Sequence, residues 1–343
     1  MSWRRTMSLR GASFGAFAEE VLPRLTGQNT LAEISEQVAH LFDVTEVESA
    51  LNTLAAQGIV VEGDGDRPAL ANDPIAPHLG WLAENAPEGR LAQSRLAQAH
   101  VVLLGAGGCG AVVARALVKS GLGRLTLVDA AVVRPADLSF SAVYPPDSLG
   151  HSRAASLAKA LASPEDECTI TAITDRPKSA EDLSSMIAEA TLVLSTLDAG
   201  ELAVSMMLNA ACRARQMPWM TASVEGTEIV IGPGFFHQSG APCYCCWRMR
   251  EIAAAPNVDT RNAVEAFLVQ QAQDLSDRRE ALFAAADIAG GMLAAEAITW
   301  LAGVARPALD GRFQTLRLPG LTVEKHVVLR RPDCPVCGPA GAA

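Results

Sequence analysis

The chain has 343 residues, of which 49% are hydrophobic and 19% charged, and its formal net charge is −10. That length and apolar content can bury a core in one large domain and a smaller one. The acidic balance, without a dense Lys/Arg run, excludes nucleic acid as the main partner, and no uninterrupted apolar stretch of about 20 residues marks a membrane span. Met1-Ser-Trp-Arg-Arg is not followed by an apolar h-region, so no secretory signal is expected. Four of the eight cysteines fall into CxxC pairs rather than a disulfide framework, which predicts a reducing, cytoplasmic setting.

Residues 1–70 read as a small domain of their own. Residues 7–16 have short strand character. Thr30-Leu-Ala-Glu33 and Thr45-Glu-Val-Glu48 each carry a capping-box pattern ahead of apolar-periodic residues. Leu31, Ile34, Val38 and Leu41 share one helical face, and Val47, Leu51 and Leu54 another. A strand over residues 58–62 then completes a helix-turn-helix-strand order, the winged-helix pattern. Such a domain reads DNA in many proteins, but the acidic balance here argues against it. Residues 71–98 are expected to be a linker with a leading helical segment.

From residue 99 to 343 the pattern alternates. Strands are expected at 101–104, 124–128, 169–173, 192–195 and 219–222, with helices at 111–120, 154–162, 180–188 and 202–214. This is an α/β, doubly wound, Rossmann-like parallel sheet. Three antiparallel strands are expected at 227–234, 316–318 and 326–330, and a central apolar helix at 281–301. Residues 249–280 read as a polar, irregular, mobile crossover.

The first of these strands runs into Gly105-Ala-Gly107-Gly108-Cys-Gly110 and then a helix. Such a turn lets backbone N–H groups approach a phosphate, with the helix N-terminus adding positive dipole. Asp129 ends the next apolar run at the spacing that suits a carboxylate on a ribose hydroxyl. These residues point to a nucleotide and leave NAD and ATP both open.

Cys243-Tyr-Cys-Cys246 and Cys334-Pro-Val-Cys337 supply two CxxC pairs. Four thiolates are the ligand set of a closed structural zinc site, with no coordination position left for catalysis. Cys245 lies between the first two and offers a substitute ligand. Cys109, Cys168 and Cys212 have no pairing pattern and are expected to be inert.

Taken together, residues 90–338 resemble the ThiF-type adenylating superfamily. The carriers are the Gly-x-Gly-Gly-x-Gly turn, Asp129, Asp137-Leu138, Tyr144, Ser148-Leu-Gly150-His-Ser-Arg153-Ala, Thr196-Leu-Asp198, Asn209, Pro233-Gly-Phe with Pro242-Cys243-Tyr, and Glu296. The resemblance implies ATP and Mg²⁺. Gly105, Gly107, Gly108, Gly110, Asp129 and Asp137 would bind the nucleotide, Arg153 would contact phosphate, and Asp198 would hold Mg²⁺. One position departs from the pattern: the family usually has Arg-Gln where this chain has Phe140-Ser141. Arg153 also stands where a lysine is usual. Leu25-Thr-Gly-Gln-Asn-Thr30-Leu-Ala-Glu-Ile is similar to the leader-recognition segment of PqqD-like domains, which implies a precursor leader peptide as partner, added to a sheet edge. Microcin C-type adenylating enzymes have the same two-part layout. The resemblance therefore implies adenylation of a peptide carboxylate in a modified-peptide pathway, by a homodimer. A second reading is a nucleotide-degenerate scaffold presenting the leader to a YcaO-type cyclodehydratase. A third, an NAD-dependent oxidoreductase, explains neither the four cysteines nor the Asp198 turn.

Overall fold

The structure is a computed structural model, and it describes residues 13–56, 59–60, 75–86, 89–140, 143–163, 167–197, 201–238, 240–271 and 282–338. The chain divides into two compact units, Met1–Pro77 and His78–Ala343. In the first, helices α1 (Phe14–Glu20), α2 (Leu31–Val38) and α3 (Val44–Ala56) enclose Phe17, Val21, Ile34, Val38, Phe42, Val47 and Leu54. Phe17 meets Phe42 edge-on at 5.8 Å between centroids, a favoured aromatic geometry.

The capping box expected at Thr30 is present: the Glu33 N–H donates to Thr30 Oγ1 and the Thr30 N–H to Glu33 Oε2. The second box lies two residues earlier than expected. The Glu46 N–H donates to Asp43 Oδ1 at 2.8 Å and the Asp43 N–H to Glu46 Oε2 at 3.1 Å, so Asp43 rather than Thr45 starts the helix. Asp is as good an N-cap as Thr, and the residue three ahead of Glu46 has first claim on it. Strand character at 7–16 is overturned where it is described, since Phe14 opens α1. Ile59 and Val60 form a bend, and the rest of the expected 58–62 strand lies outside the described residues.

The second unit continues through α4 (Ala76–Asn85), α5 (Gly89–Gln98), β1 (His100–Leu104), α6 (Gly108–Lys119), β2 (Arg124–Val128), α7 (Pro135–Phe140), α8 (Arg153–Leu161), β3 (Thr169–Ile173), α9 (Ala180–Met186), β4 (Leu192–Ser195), α10 (Leu202–Arg215), β5 (Trp219–Glu225), β6 (Glu228–Phe235), α11 (Tyr244–Ala253), α12 (Val258–Gln271), α13 (Phe283–Leu301), β7 (Arg312–Arg317) and β8 (Thr322–Val327). The strands form one sheet in the order β3-β2-β1-β4-β5-β6-β7-β8. β1 to β5 are parallel and β6 to β8 antiparallel. The doubly wound α/β reading holds. Short apolar runs without alternation are what strands covered on both faces require.

Residues 272–280 of the expected irregular crossover lie outside the described residues. Over 249–271 the chain is not an irregular crossover, because α11 and α12 occupy 244–253 and 258–271. Their polarity has a different cause. Arg248 pairs with Glu251 and Glu265, and Arg261 pairs with the same two carboxylates, so a charge network stitches the helices together. Helix α13 is long and apolar enough to cross a membrane by length and composition. Asp287 and Glu296 interrupt it, and it lies in the core of this unit, along α6 and against β5 and β6. Gly290 permits that contact, since a Cβ there would lie 2.6 Å from the Cys109 carbonyl oxygen.

Candidate nucleotide cleft and cysteine cluster

The sheet order reverses between β1 and β4. In open α/β sheets the crevice beyond the carboxyl ends of such strands is the place for a ligand. A cleft of about 390 Å³ opens there, lined among others by Gly105, Gly107, Gly108, Asp129, Arg153 and Thr196.

The glycines of the turn do different work. Gly105 has φ +92°, and a Cβ on it would lie 2.9 Å from Thr196 Oγ1. A Cβ at Gly110 would lie 2.0 Å from the Gly105 carbonyl oxygen. Both are required by the chain's own packing, and Thr196 locks the arrangement by donating from Oγ1 to the Gly105 carbonyl at 2.9 Å. Gly107 is different: a Cβ there meets no atom within 4 Å. It is the N-cap of α6, has no side-chain cap, and lines the cleft with Gly108. The N-terminal turn of α6 thus opens onto a space that the protein leaves clear, as a phosphate needs.

Asp129 stands beside this turn. Its Oδ2 accepts the Ala106 N–H at 2.7 Å and its Oδ1 the Ala131 N–H at 2.8 Å. Burial raises its pKa, against those two bonds and the Arg153 charge. Each oxygen keeps lone-pair capacity for a hydroxyl.

Asp137 and Arg153 form one unit. Arg153 Nε lies 2.8 Å from Asp137 Oδ2, with side-chain exposures of 8% and 6%. The same Oδ2 accepts the Arg134 N–H at 2.8 Å, so Asp137 also reaches back to cap α7. Tyr144 donates from its hydroxyl to the Ala106 carbonyl oxygen, and the Arg153 carbonyl oxygen is 3.4 Å away. Burial raises the Tyr144 pKa, so the phenol stays a donor. The glycine turn, Asp129, and the starts of α7 and α8 are therefore cross-braced.

Asp198 and Ser141 lie outside the described residues, as does the side chain of Phe140. Two lining residues went unread in the sequence, Arg176 beyond β3 and Glu201 before α10, which pair through both guanidinium nitrogens. Their signal was positional, since both follow the carboxyl end of a parallel strand. Glu296 is not at the cleft; its Oε1 accepts the Leu309 N–H at 2.9 Å.

The two CxxC pairs converge. The sulfurs of Cys243, Cys246, Cys334 and Cys337 all lie within 4.8 Å of one another, and all four residues are buried. The sulfur–sulfur separations are 4.0 Å (243–246), 3.7 Å (243–334) and 3.3 Å (246–337). A tetrahedral zinc with bonds of about 2.3 Å has sulfur–sulfur edges of about 3.8 Å, so the donor set fits that ion. Burial opposes ionisation of Cys334, but N–H groups of Cys337 and Val336 and neighbouring thiols outweigh it, drawing the pKa to about 7. Cys245 is buried beside the cluster and outside the set of four. Asn209 is fully buried, and its Oδ1 accepts the Tyr244 N–H at 3.0 Å, fixing the start of α11 within the first pair.

Known proteins share this architecture. Escherichia coli (strain K12) molybdopterin-synthase adenylyltransferase is 28% identical over 246 residues, covering 72% of this chain and 90% of the relative. The E. coli MccB structure with MccA-N7isoASN aligns with a TM-score of 0.70 and 17% identity, over 90% of this chain and 86% of that one. MccB with ATP gives 0.69 and 18% over the same shares. The ThiF family profile matches residues 82–336, which takes in the glycine turn and three of the four cysteines and stops one residue short of Cys337: the chain belongs to the ThiF family.

Proposed function

We propose that the chain is an ATP-dependent adenylyltransferase that activates a peptide carboxylate. The observation that carries this is the uncapped start of α6 at Gly107, open to a cleft at the switch point of the sheet. The first-turn N–H groups of α6 bind phosphate, and Asp129 accepts from a ribose hydroxyl. Arg153, held in place by Asp137, contributes charge beside the phosphates. A substrate carboxylate oxygen attacks the α-phosphorus; the bond to the β-phosphate bridging oxygen breaks, and pyrophosphate leaves. Such a reaction rests on positioning and charge stabilisation rather than on covalent work by the protein. Mg²⁺, when bound, neutralises phosphate charge, and Asp198 is the residue for it. Cys243, Cys246, Cys334 and Cys337 hold a structural zinc that staples α11 to the C-terminal segment.

The peptide is the precursor of a modified-peptide pathway, bound through its leader by the unit before residue 77. Solved structures of MccB with MccA support a peptide substrate for this architecture. Peptide-dependent exchange of labelled pyrophosphate into ATP tests the reaction. Exchange with the full chain, lost in Asp198→Ala, is the expected result; no exchange with any precursor, and no ATP binding, overturns it.

One observation favours the scaffold reading. Arg153 and Arg176 are already paired with Asp137 and Glu201, and Phe140-Ser141 replaces the family's Arg-Gln. On that reading the chain binds leader peptide but not Mg-ATP, and hands the peptide to a YcaO-type enzyme.

A further inference from the structure

A second cavity, of about 420 Å³, lies at the other end of the sheet. β5 begins at Trp219, which pairs with Phe235 at the end of antiparallel β6. The cavity takes its lining from what precedes β5 and follows β6, far from the carboxyl ends of β1 to β4. Arg213, Gln216, His237, Gln238 and Arg330 line it, and no carboxylate is among its described lining residues. In a chain of net charge −10, two guanidiniums, an imidazole and two carboxamides around one cavity are a marked departure.

The groups are held rather than loose. Gln216 is the left-handed C-cap of α10, with φ 52°. His237 is also left-handed, with φ 52°, a conformation uncommon for a non-glycine residue. The Gln238 Nε2 donates to Asp310 at 3.1 Å. Arg330 donates from Nη2 to the Cys337 carbonyl, and its own carbonyl accepts from Arg250 Nη2 at 3.3 Å. Against this, the Arg213 guanidinium has no hydrogen bond or ion pair among the described residues. Both His237 ring nitrogens are buried without a hydrogen bond of normal geometry. Buried polar atoms left so are costly unless something completes them. Burial draws the His237 ring below its ordinary pKa, over the opposing Met217 carbonyl, and Arg213 adds to that fall.

We propose that this cavity is an oxyanion site, in which Arg213, Arg330 and His237 receive the phosphoryl or carboxylate group of a small ligand. Guanidinium forks match both groups in geometry and charge. The site is separate from the nucleotide cleft and does not depend on the reading given for it.

The test uses the full-length, metal-loaded protein with histidine rings isotopically labelled, and reads the His237 resonances, assigned by their loss in His237→Gln. Inorganic phosphate and acetate are titrated separately. The expected result is a saturable His237 shift with at least one of them, weakened roughly tenfold or more in Arg213→Ala and partly restored in Arg213→Lys. The melting temperature should be unchanged in both variants. A stronger phosphate response identifies a phosphoryl ligand, and a stronger acetate response a carboxylate. The absence of a saturable shift with either anion overturns the site, as does equal affinity in Arg213→Ala. Arg330→Ala is the less secure variant, since Arg330 braces the cysteine segment; Arg213, in the last turn of α10, decides the matter alone.

Discussion

Gly107→Ala separates a glycine kept for a ligand from one kept for the fold. The added methyl meets nothing within 4 Å in the protein, and the backbone there (φ −66°, ψ −169°) suits any residue. Replacing Gly by Ala at an N-cap costs about 0.5–1 kcal/mol. In a unit of this size that lowers the melting temperature by about 1–4 °C. The methyl does, however, stand where a phosphate oxygen would reach the first-turn N–H groups. Losing one charge-assisted bond of about 1.5–3 kcal/mol weakens Mg-ATP binding by about ten- to 150-fold. Gly110→Ala is the contrasting control, because its methyl collides with the Gly105 carbonyl at 2.0 Å and should prevent proper folding. Calorimetric titration with Mg-ATP, beside thermal melts of wild type and Gly107→Ala, reads both effects. Wild-type binding that survives undiminished in Gly107→Ala would refute the placement of phosphate at this turn.

Arg153→Met strands the buried Asp137 carboxylate and should cost about 3 kcal/mol, at the lower end for such pairs because the Arg134 N–H still serves Asp137; adding Asp137→Leu should recover stability in chemical denaturation, and no recovery would show that the pair is not the cause. Asp129 has a folded pKa raised by burial, so the folded state binds more protons than the unfolded one between the ordinary carboxylate pKa and the raised value, and stability falls as pH rises through that window. Unfolding free energies of wild type and Asp129→Asn, compared from acid to neutral pH, should therefore diverge against wild type, and parallel curves would contradict the assignment. Cys334→Ser should lose bound zinc, read by elemental analysis, and lower the melting temperature; full metal content with an unchanged melt would rule out the staple. Deleting residues 1–77 should abolish affinity for a leader peptide in fluorescence anisotropy, and retained tight binding would remove the leader role from that unit.

Much of the second unit was legible because its local signals agree. β4, buried along its whole length, starts and ends with its apolar run, since a strand covered on both faces must be apolar throughout, whereas edge strand β3 shows itself by alternating Thr169, Ile170 and Thr171. The failures have a common cause in charge. Helices α11 and α12 are joined by Arg248, Glu251, Arg261 and Glu265 across 17 positions of sequence, and no apolar periodicity announces such a network. The second capping box slipped because Asp43 and Thr45 are both competent caps and only the fold chooses between them. At the cleft, the glycines and Asp129 announce themselves by spacing. The Asp137–Arg153 pair does not, because sixteen residues separate its members and both were read as touching the nucleotide directly.

That pairing bears on the choice between enzyme and scaffold. A guanidinium already bound to a buried carboxylate offers a nucleotide less net charge, which weakens attraction at long range. It is also held in one place, and a positioned donor loses less entropy on meeting phosphate than a free one does. The two effects separate experimentally. If Asp137 serves to position Arg153, Asp137→Asn keeps the positive charge and removes the anion, yet should impair pyrophosphate exchange more than it impairs Mg-ATP binding. If the pair is a relic of structure alone, the same substitution should leave exchange and binding altered to the same degree, or leave both absent as in wild type. The ratio of the two effects, rather than either by itself, distinguishes an arginine aimed at a reacting phosphate from one merely buried beside an empty phosphate turn.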